Sequence, residues 1–198
     1  MTDWVDLAFA VTGTSVARDY PAALYGALRA LAPWLDEEPL AGVHPIRGLT
    51  PSAGSLLIGG RTRLVLRVPA SRVEACEDLQ GRALELPSPL HIGRLSRREL
   101  LAHPVVHARL VITGADDEGD FVADIGRAIA ELGLDCEIIV GRRGELRLGA
   151  ELLTGFSLML HGLSAAESLQ AQAHGVGLHR KLGCGLFVPH KSVAAVGL

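Results

Sequence analysis

From Trp4 to Thr12 apolar and polar positions alternate, with Val5, Leu7, Phe9 and Val11 on one side. A period of two predicts a half-buried strand. The period then changes. Tyr20, Leu24, Leu28, Leu31 and Leu35 recur at helical spacing, behind Asp19 as a cap and with Pro21 in the first turn, where a missing N–H costs nothing. A Pro- and Gly-rich loop is expected from about Asp36 to Ser52. Strands at Ser55–Ile58 and Arg61–Val68 follow, with Gly59-Gly60 between them as a hairpin signal. Ser71-Arg72-Val73-Glu74 has the form of a capping box opening a second helix that stops at Gly81, and Ala83–Ile92 reads as a further strand.

The same order recurs. Val106, Ala108, Leu110 and Ile112 alternate as a strand, and Phe121, Ile125, Ala128, Ile129 and Leu132 mark a helix ending at Gly133. Strands are expected at Glu137–Val140, Glu145–Leu148 and Phe156–Leu160. A second capping box, Ser164-Ala165-Ala166-Glu167, opens another helix, and Leu182–Val188 supplies the last strand. The expected fold class is α+β: two tandem ferredoxin-like (βαββαβ) units, residues 1–97 and 98–198, with a glycine-rich loop near the C-terminus. The repeat is one of element order, not of letters. A single mixed sheet is the alternative arrangement.

Composition narrows the class without deciding it. The chain has 198 residues, 48% hydrophobic and 21% charged, ordinary for a globular protein. No run of about 20 apolar residues is present, so no spanning helix is expected. The acidic start Met1-Thr2-Asp3-Trp4-Val5-Asp6 does not look like a signal peptide. Cys76, Cys136 and Cys184 are odd in number and far apart, which suits a reducing cytoplasm; there is no C-x-x-C zinc pair. A net charge of −3 argues mildly against nucleic-acid binding. Its distribution softens that objection. Residues 61–115 carry 9 basic and 5 acidic side chains and residues 175–198 carry 3 and 0, against 4 and 11 over residues 116–174. Phosphate binding depends on the local patch. Solvated charged faces explain the same counts equally well.

Residues 175–185 read Gly-Val-Gly-Leu-His-Arg-Lys-Leu-Gly-Cys-Gly, two G-x-G pairs with His179, Arg180 and Lys181 between them. Glycine permits positive φ and close backbone approach, so such a loop can aim amides at a phosphate while the basic side chains add charge. The order helix, loop, strand counts against a dinucleotide-binding turn, which opens a helix after a strand. A tight turn whose glycines serve packing remains the competing explanation. Among eight histidines, His44 lies in the long loop after the first helix, and loops carry chemistry more often than core strands. Its ordinary pKa suits proton transfer in either direction. Arg47, three residues on, could hold or neutralise a phosphate. His44-Pro45 could equally shape a turn. His107 and Arg109 fall on the strand face away from the helices, where a domain contact is the better explanation.

The spaced glycine pairs, the basic residues between them and the duplicated element order resemble the repeat-associated protein superfamily of CRISPR systems. Within it the chain is most similar to the endoribonucleases that process repeat RNA, in the compact form of myxobacterial-type systems. Further matching stretches are Ala23-Leu24-Tyr25-Gly26-Ala27-Leu28 with Pro33-Trp34-Leu35, Val43-His44-Pro45-Ile46-Arg47-Gly48, and Leu163-Ser164-Ala165-Ala166-Glu167-Ser168-Leu169. The resemblance implies a cytoplasmic enzyme that binds CRISPR repeat RNA, often as a stem-loop, alongside other surveillance-complex subunits. It implies cleavage without metal or cofactor, by attack of a 2′-OH on the adjacent phosphate. It places the catalytic histidine in the N-terminal unit, at His44, with Arg47 beside it and a tyrosine as partner in some members, here Tyr25. It assigns RNA contact to the C-terminal loop, at Gly175, Gly177, His179, Arg180, Lys181, Gly183 and Gly185. A non-catalytic RNA-binding paralogue and a small-molecule regulatory domain pair are the competing functions.

Overall fold

The computed structural model describes residues 3–52, 54–115 and 117–191. The chain divides into two compact units, Asp3–Glu99 and a second beginning at Leu100. No helix among the described residues is long and apolar enough to cross a membrane.

The first unit is built on β1 (Trp4–Thr12), whose alternation is real: Val5, Leu7, Phe9 and Val11 are all buried. A short β2 (Ser15–Ala17) leads to α1 (Tyr20–Leu31), which buries Tyr20, Leu24 and Leu28 on one stripe. Asp19 does occupy the cap position, but its side chain makes no capping bond. Next come β3 (Gly42–Val43), β4 (Thr50–Ser52), β5 (Ser55–Leu57), β6 (Arg63–Pro69), the short helix α2 (Val73–Glu77), β7 (Ala83–Leu84) and β8 (Leu90–Glu99). The main sheet has the order β3-β6-β1-β8-β7, with every neighbouring pair antiparallel. Leaving aside the edge strand β7, the four strands β1, β3, β6 and β8 are the first to fourth of a ferredoxin-like unit, in spatial order 4-1-3-2.

Three expectations fail here, for physical reasons. The second strand of the unit is not Ser55–Ile58 but Gly42–Val43, inside the stretch expected to be loop. Val43 and Ile46 are buried, whereas β5 carries only half-buried and exposed positions, with Leu56 packed against the core from outside. Instead β5 joins β2 and β4 in a separate three-stranded sheet. Gly59-Gly60 makes no hairpin between β5 and β6. The chain turns over four residues, with Thr62 N–H donating to the Gly59 carbonyl at 2.9 Å. The capping box at Ser71 also fails, because residues Ala70–Arg72 form a 3-10 turn, Arg72 takes the cap position, and its side chain makes no capping bond.

The second unit runs β9 (Val105–Val111), α3 (Glu118–Glu131), β10 (Glu137–Leu148), β11 (Glu151–His161), α4 (Ala165–His174) and β12 (Val188–Pro189). Its sheet order, β10-β11-β9-β12, is again 2-3-1-4 in ferredoxin-like terms. Val106 and Ala108 of β9 and Phe121, Ile125 and Ile129 of α3 enclose its core with Leu158 and Leu160 of β11. Glu137–Val140 and Glu145–Leu148, expected as two strands, are one bulged strand paired along β11. The capping box of α4 is present in full: Ser164 Oγ accepts from Glu167 N–H at 3.3 Å, and Glu167 accepts from Ser164 N–H at 2.9 Å. The expected last strand, Leu182–Val188, shrinks to Val188–Pro189, since Arg180–Leu182 forms a 3-10 turn and residues 183–187 have no regular structure.

Candidate functional site

The segment Val43–Gly48 is pinned along β6. His44 N–H donates to the Val65 carbonyl at 2.9 Å, and Arg47 and Arg63 exchange backbone bonds of 3.3 and 3.1 Å. Tyr20, on the buried stripe of α1, accepts from Ile46 N–H at 2.8 Å through its hydroxyl. Thr62 Oγ1 donates to the Gly48 carbonyl at 3.0 Å. Gly48 itself is obligatory: its φ is +81°, and a Cβ there would sit 2.9 Å from the Arg61 carbonyl. A segment read as flexible loop is therefore held at nearly every residue, which is what a group that must be aimed requires.

His44 emerges from this frame on the side of Asp6 and is only 3% exposed. Its Nε2 lies 3.5 Å from Asp6 Oδ1. That separation is an ion-pair contact but too long for a sound hydrogen bond, and Nε2 is a buried polar atom without a hydrogen-bond partner among the described residues. Asp6 is fully engaged from the other direction. Arg67, 0% exposed, donates Nε and Nη2 to its two carboxylate oxygens at 2.7 and 2.9 Å. Asp6 and Arg67 face each other because they are register partners on β1 and β6. Neither was singled out from the sequence.

The charges follow from these contacts. Burial by itself would raise the Asp6 pKa, but the facing His44 ring, the two hydrogen bonds from Arg67 and the Arg67 charge outweigh it and hold the carboxyl far below the usual carboxylate range. Burial pushes the His44 pKa below its ordinary value; Asp6 pulls it up, while Arg67 and Arg47 push it down again. The ring is therefore neutral at pH 7, with a lone pair to accept a proton. Arg47 is exposed at the surface. Tyr25, the third expected residue, points its hydroxyl at Asp36. Burial and that hydrogen bond raise its pKa to about 12. The phenol stays protonated and is committed to a carboxylate.

In the second unit the glycine loop has steric reasons of its own. A Cβ on Gly175 would meet the Gly185 carbonyl at 2.2 Å, one on Gly177 the Ile112 carbonyl at 2.6 Å, and one on Gly185 the Val176 carbonyl at 2.1 Å; all three have positive φ. The loop is stitched to the end of β9, with Leu178 N–H donating to Ile112 at 2.7 Å and Gly185 N–H to Leu110 at 2.8 Å. Arg180, expected to face RNA, is only 7% exposed and donates to the carbonyls of Gly185 and Ala173 at 3.2 and 2.9 Å. It braces the loop from inside. His179 and Lys181 are half-buried. His179 is the one non-glycine residue with positive φ among those described, at +62°, and Gly183 ends the turn at +93°. No group of three or more His, Cys, Asp or Glu placed to hold a metal occurs among the described residues.

Comparison with known proteins is consistent across sequence and structure. The "Cas6 Crispr" family model matches residues 5–192. The CRISPR-associated endonuclease Cas6 of Myxococcus xanthus (strain DK1622) is 39% identical over 195 residues, covering 98% of this chain and 84% of that protein. A solved CRISPR-associated protein Cas6 superposes with a TM-score of 0.70 at 10% identity, over 95% of this chain and 100% of that one. A Cas6-related protein of Pyrococcus furiosus gives 0.66 at 13% identity, over 93% and 97%. A CRISPR endoribonuclease Cse3 bound to 19 nt RNA gives 0.56 at 12%, over 94% and 98%. The structural likenesses establish the tandem ferredoxin-like fold, and the family match together with the Myxococcus relative establishes that this chain belongs to the Cas6 family.

Proposed function

We propose that this chain is an endoribonuclease that cuts CRISPR repeat RNA to release guide RNA, without a metal ion, with His44 as general base. The observation that carries the reading is the buried His44 ring, neutral at pH 7 and set against an ionised Asp6, with one ring nitrogen left unbonded. A histidine kept for structure alone has its buried nitrogens satisfied, so an unsatisfied one calls for an explanation. His44 would take the proton of the 2′-OH. O2′ then bonds to the adjacent phosphorus, the bond from phosphorus to O5′ breaks, and O5′ takes a proton from solvent water, so that the products are a 2′,3′-cyclic phosphate and a 5′-hydroxyl. Arg47, exposed three residues away, would neutralise the charge that develops on the phosphate. Tyr25, held by Asp36, is left out of the proton transfer. The N-terminal unit thus carries the chemistry, and His179 and Lys181 of the C-terminal loop carry RNA contact, with repeat RNA, a stem-loop included, as the partner.

The test is a single-turnover cleavage assay on the repeat RNA in EDTA. Wild type should cut, and His44→Ala should bind but cut about 10² to 10⁴ times more slowly. Lys181→Ala should flatten the salt dependence of binding, since fewer counterions are released. Full cleavage by His44→Ala would remove the assignment. Loss of cleavage in EDTA restored by magnesium would overturn the mechanism. One observation favours a second reading: at 3% exposure the ring needs a local opening before RNA reaches it. A wild type that binds the repeat tightly and never cuts it would make the chain an RNA-holding member of its family.

A further inference from the structure

Resting on the reading of His44 as base, we infer that Asp6 is a positioning residue that holds the His44 ring in its Nε2–H tautomer and so leaves Nδ1 as the atom that accepts the proton. The argument begins with the sheet. Asp6 sits on the central strand β1, between Arg67 on β6 and Arg98 on β8, its register partners on either side. Arg67 occupies both carboxylate oxygens and cannot itself turn away, being wholly buried. The carboxylate is consequently fixed in orientation and permanently charged. Of the two side chains set against it, Arg67 and His44, His44 is the one that can change protonation near neutral pH. A carboxylate accepts and never donates, so the nitrogen facing it carries the hydrogen. Nε2 faces Oδ1 at 3.5 Å. The unmade bond closes by a few tenths of an ångström when RNA seats, as hydrogen bonds of resting sites commonly tighten in the working complex.

The charged groups around the ring come from three elements. Asp6 on β1 favours the imidazolium; Arg67 on β6 and Arg47 on the ring's own segment disfavour it. The pair Asp6–Arg67 thus presents His44 with a hydrogen-bond acceptor whose attraction for a proton is largely offset by the cation behind it. The ring is oriented without being charged, which is the condition a general base needs. A purely structural ion pair would explain the burial of Arg67 equally well, but it gives no reason for a histidine nitrogen to be left unbonded against the carboxylate.

The experiment compares Asp6→Asn, Arg67→Met and the double variant, each saturated with repeat RNA so that only folded protein is read. Single-turnover cleavage against pH is the first measurement and nitrogen NMR of the His44 ring is the second. Asp6→Asn and the double variant should lose cleavage by about a hundredfold to ten-thousandfold, the range for lost general acid–base assistance and for removal of the carboxylate behind a catalytic histidine. Both should bind RNA as wild type does and lose the Nε2–H signature, and Asp6→Asn should also move the acid limb of the rate profile to lower pH. Arg67→Met, which keeps the carboxylate but removes the cation that offsets it, should keep the tautomer and move the acid limb to higher pH, with cleavage retained on the alkaline side of that limb. Equal losses in all three variants, or wild-type rate and profile in Asp6→Asn, would make the pair structural and overturn the inference. Full cleavage by His44→Ala would instead strike the reading on which it rests.

Discussion

Replacing Gly185 by alanine should unfold the second unit far more readily than replacing Gly149 by alanine. The two glycines have nearly the same backbone, with φ of +66° and +62°. The cost of forcing a side chain into that left-handed region, on the order of 1 to 2 kcal/mol, is therefore common to both. Their surroundings differ. Nothing lies within 4 Å of a Cβ on Gly149, whereas a Cβ on Gly185 would sit 2.1 Å from the Val176 carbonyl. The backbone at 185 must move to relieve that contact. Moving it endangers the bond from Gly185 N–H to Leu110 and the one from Arg180 Nη1 to the Gly185 carbonyl. A neutral hydrogen bond contributes about 1 kcal/mol net and one from a charged donor about 1.5 to 3. The extra loss at Gly185 is thus about 2 to 4 kcal/mol, or about 10 to 25 °C in Tm for a unit of this size. Thermal melting and urea titration of the two variants side by side measure the difference, with the shared strain cancelling. Equal losses would show that the loop yields freely at Gly185, and the packing explanation of the glycine pairs would fail. The loop would then be free to serve RNA alone.

Other outcomes can be stated as directly. Burial holds the folded His44 pKa below its ordinary value of about 6.5, so below pH 6.5 the unfolded chain takes up the proton first and stability falls as pH falls; His44→Gln should lose that part of the slope between pH 7 and 5, read by urea midpoints at several pH values. Asp6 shows the opposite protonation state with the same sign of slope: its folded pKa lies below the unfolded one, so its contribution is present above about pH 4 and fades as pH falls further, and Asp6→Asn should flatten the curve there. Tyr25→Phe should leave cleavage unchanged, because the phenol is bound to Asp36 and stays protonated up to about pH 12; a large loss in the rate assay would return the residue to the chemistry. Ser164→Ala removes the cap of α4 and should cost about 1 kcal/mol in urea unfolding with RNA affinity intact.

The fold class of two ferredoxin-like units, the long helices and most core positions were determined by the sequence alone, because they rest on periodicity. Val5, Leu7, Phe9 and Val11, or Phe121, Ile125 and Ile129, announce a buried face by spacing, and each of them is buried. The Ser164–Glu167 box was equally legible, since both partners lie within one turn. What only the tertiary structure decided are the relations between distant residues. Gly42–Val43 is too short to show a period, and it becomes a strand only because β6 offers it an edge. Asp6 and Arg67 are 61 residues apart and meet through the register of an antiparallel pair, which a sequence read locally does not contain. Arg180 looks from the sequence like a free cation between glycines; folding turns it inward because the carbonyls of Ala173 and Gly185 converge on its guanidinium. The chain's letters could nominate His44, but its burial, its neutral ring and the carboxylate that faces it arise from three strands brought side by side.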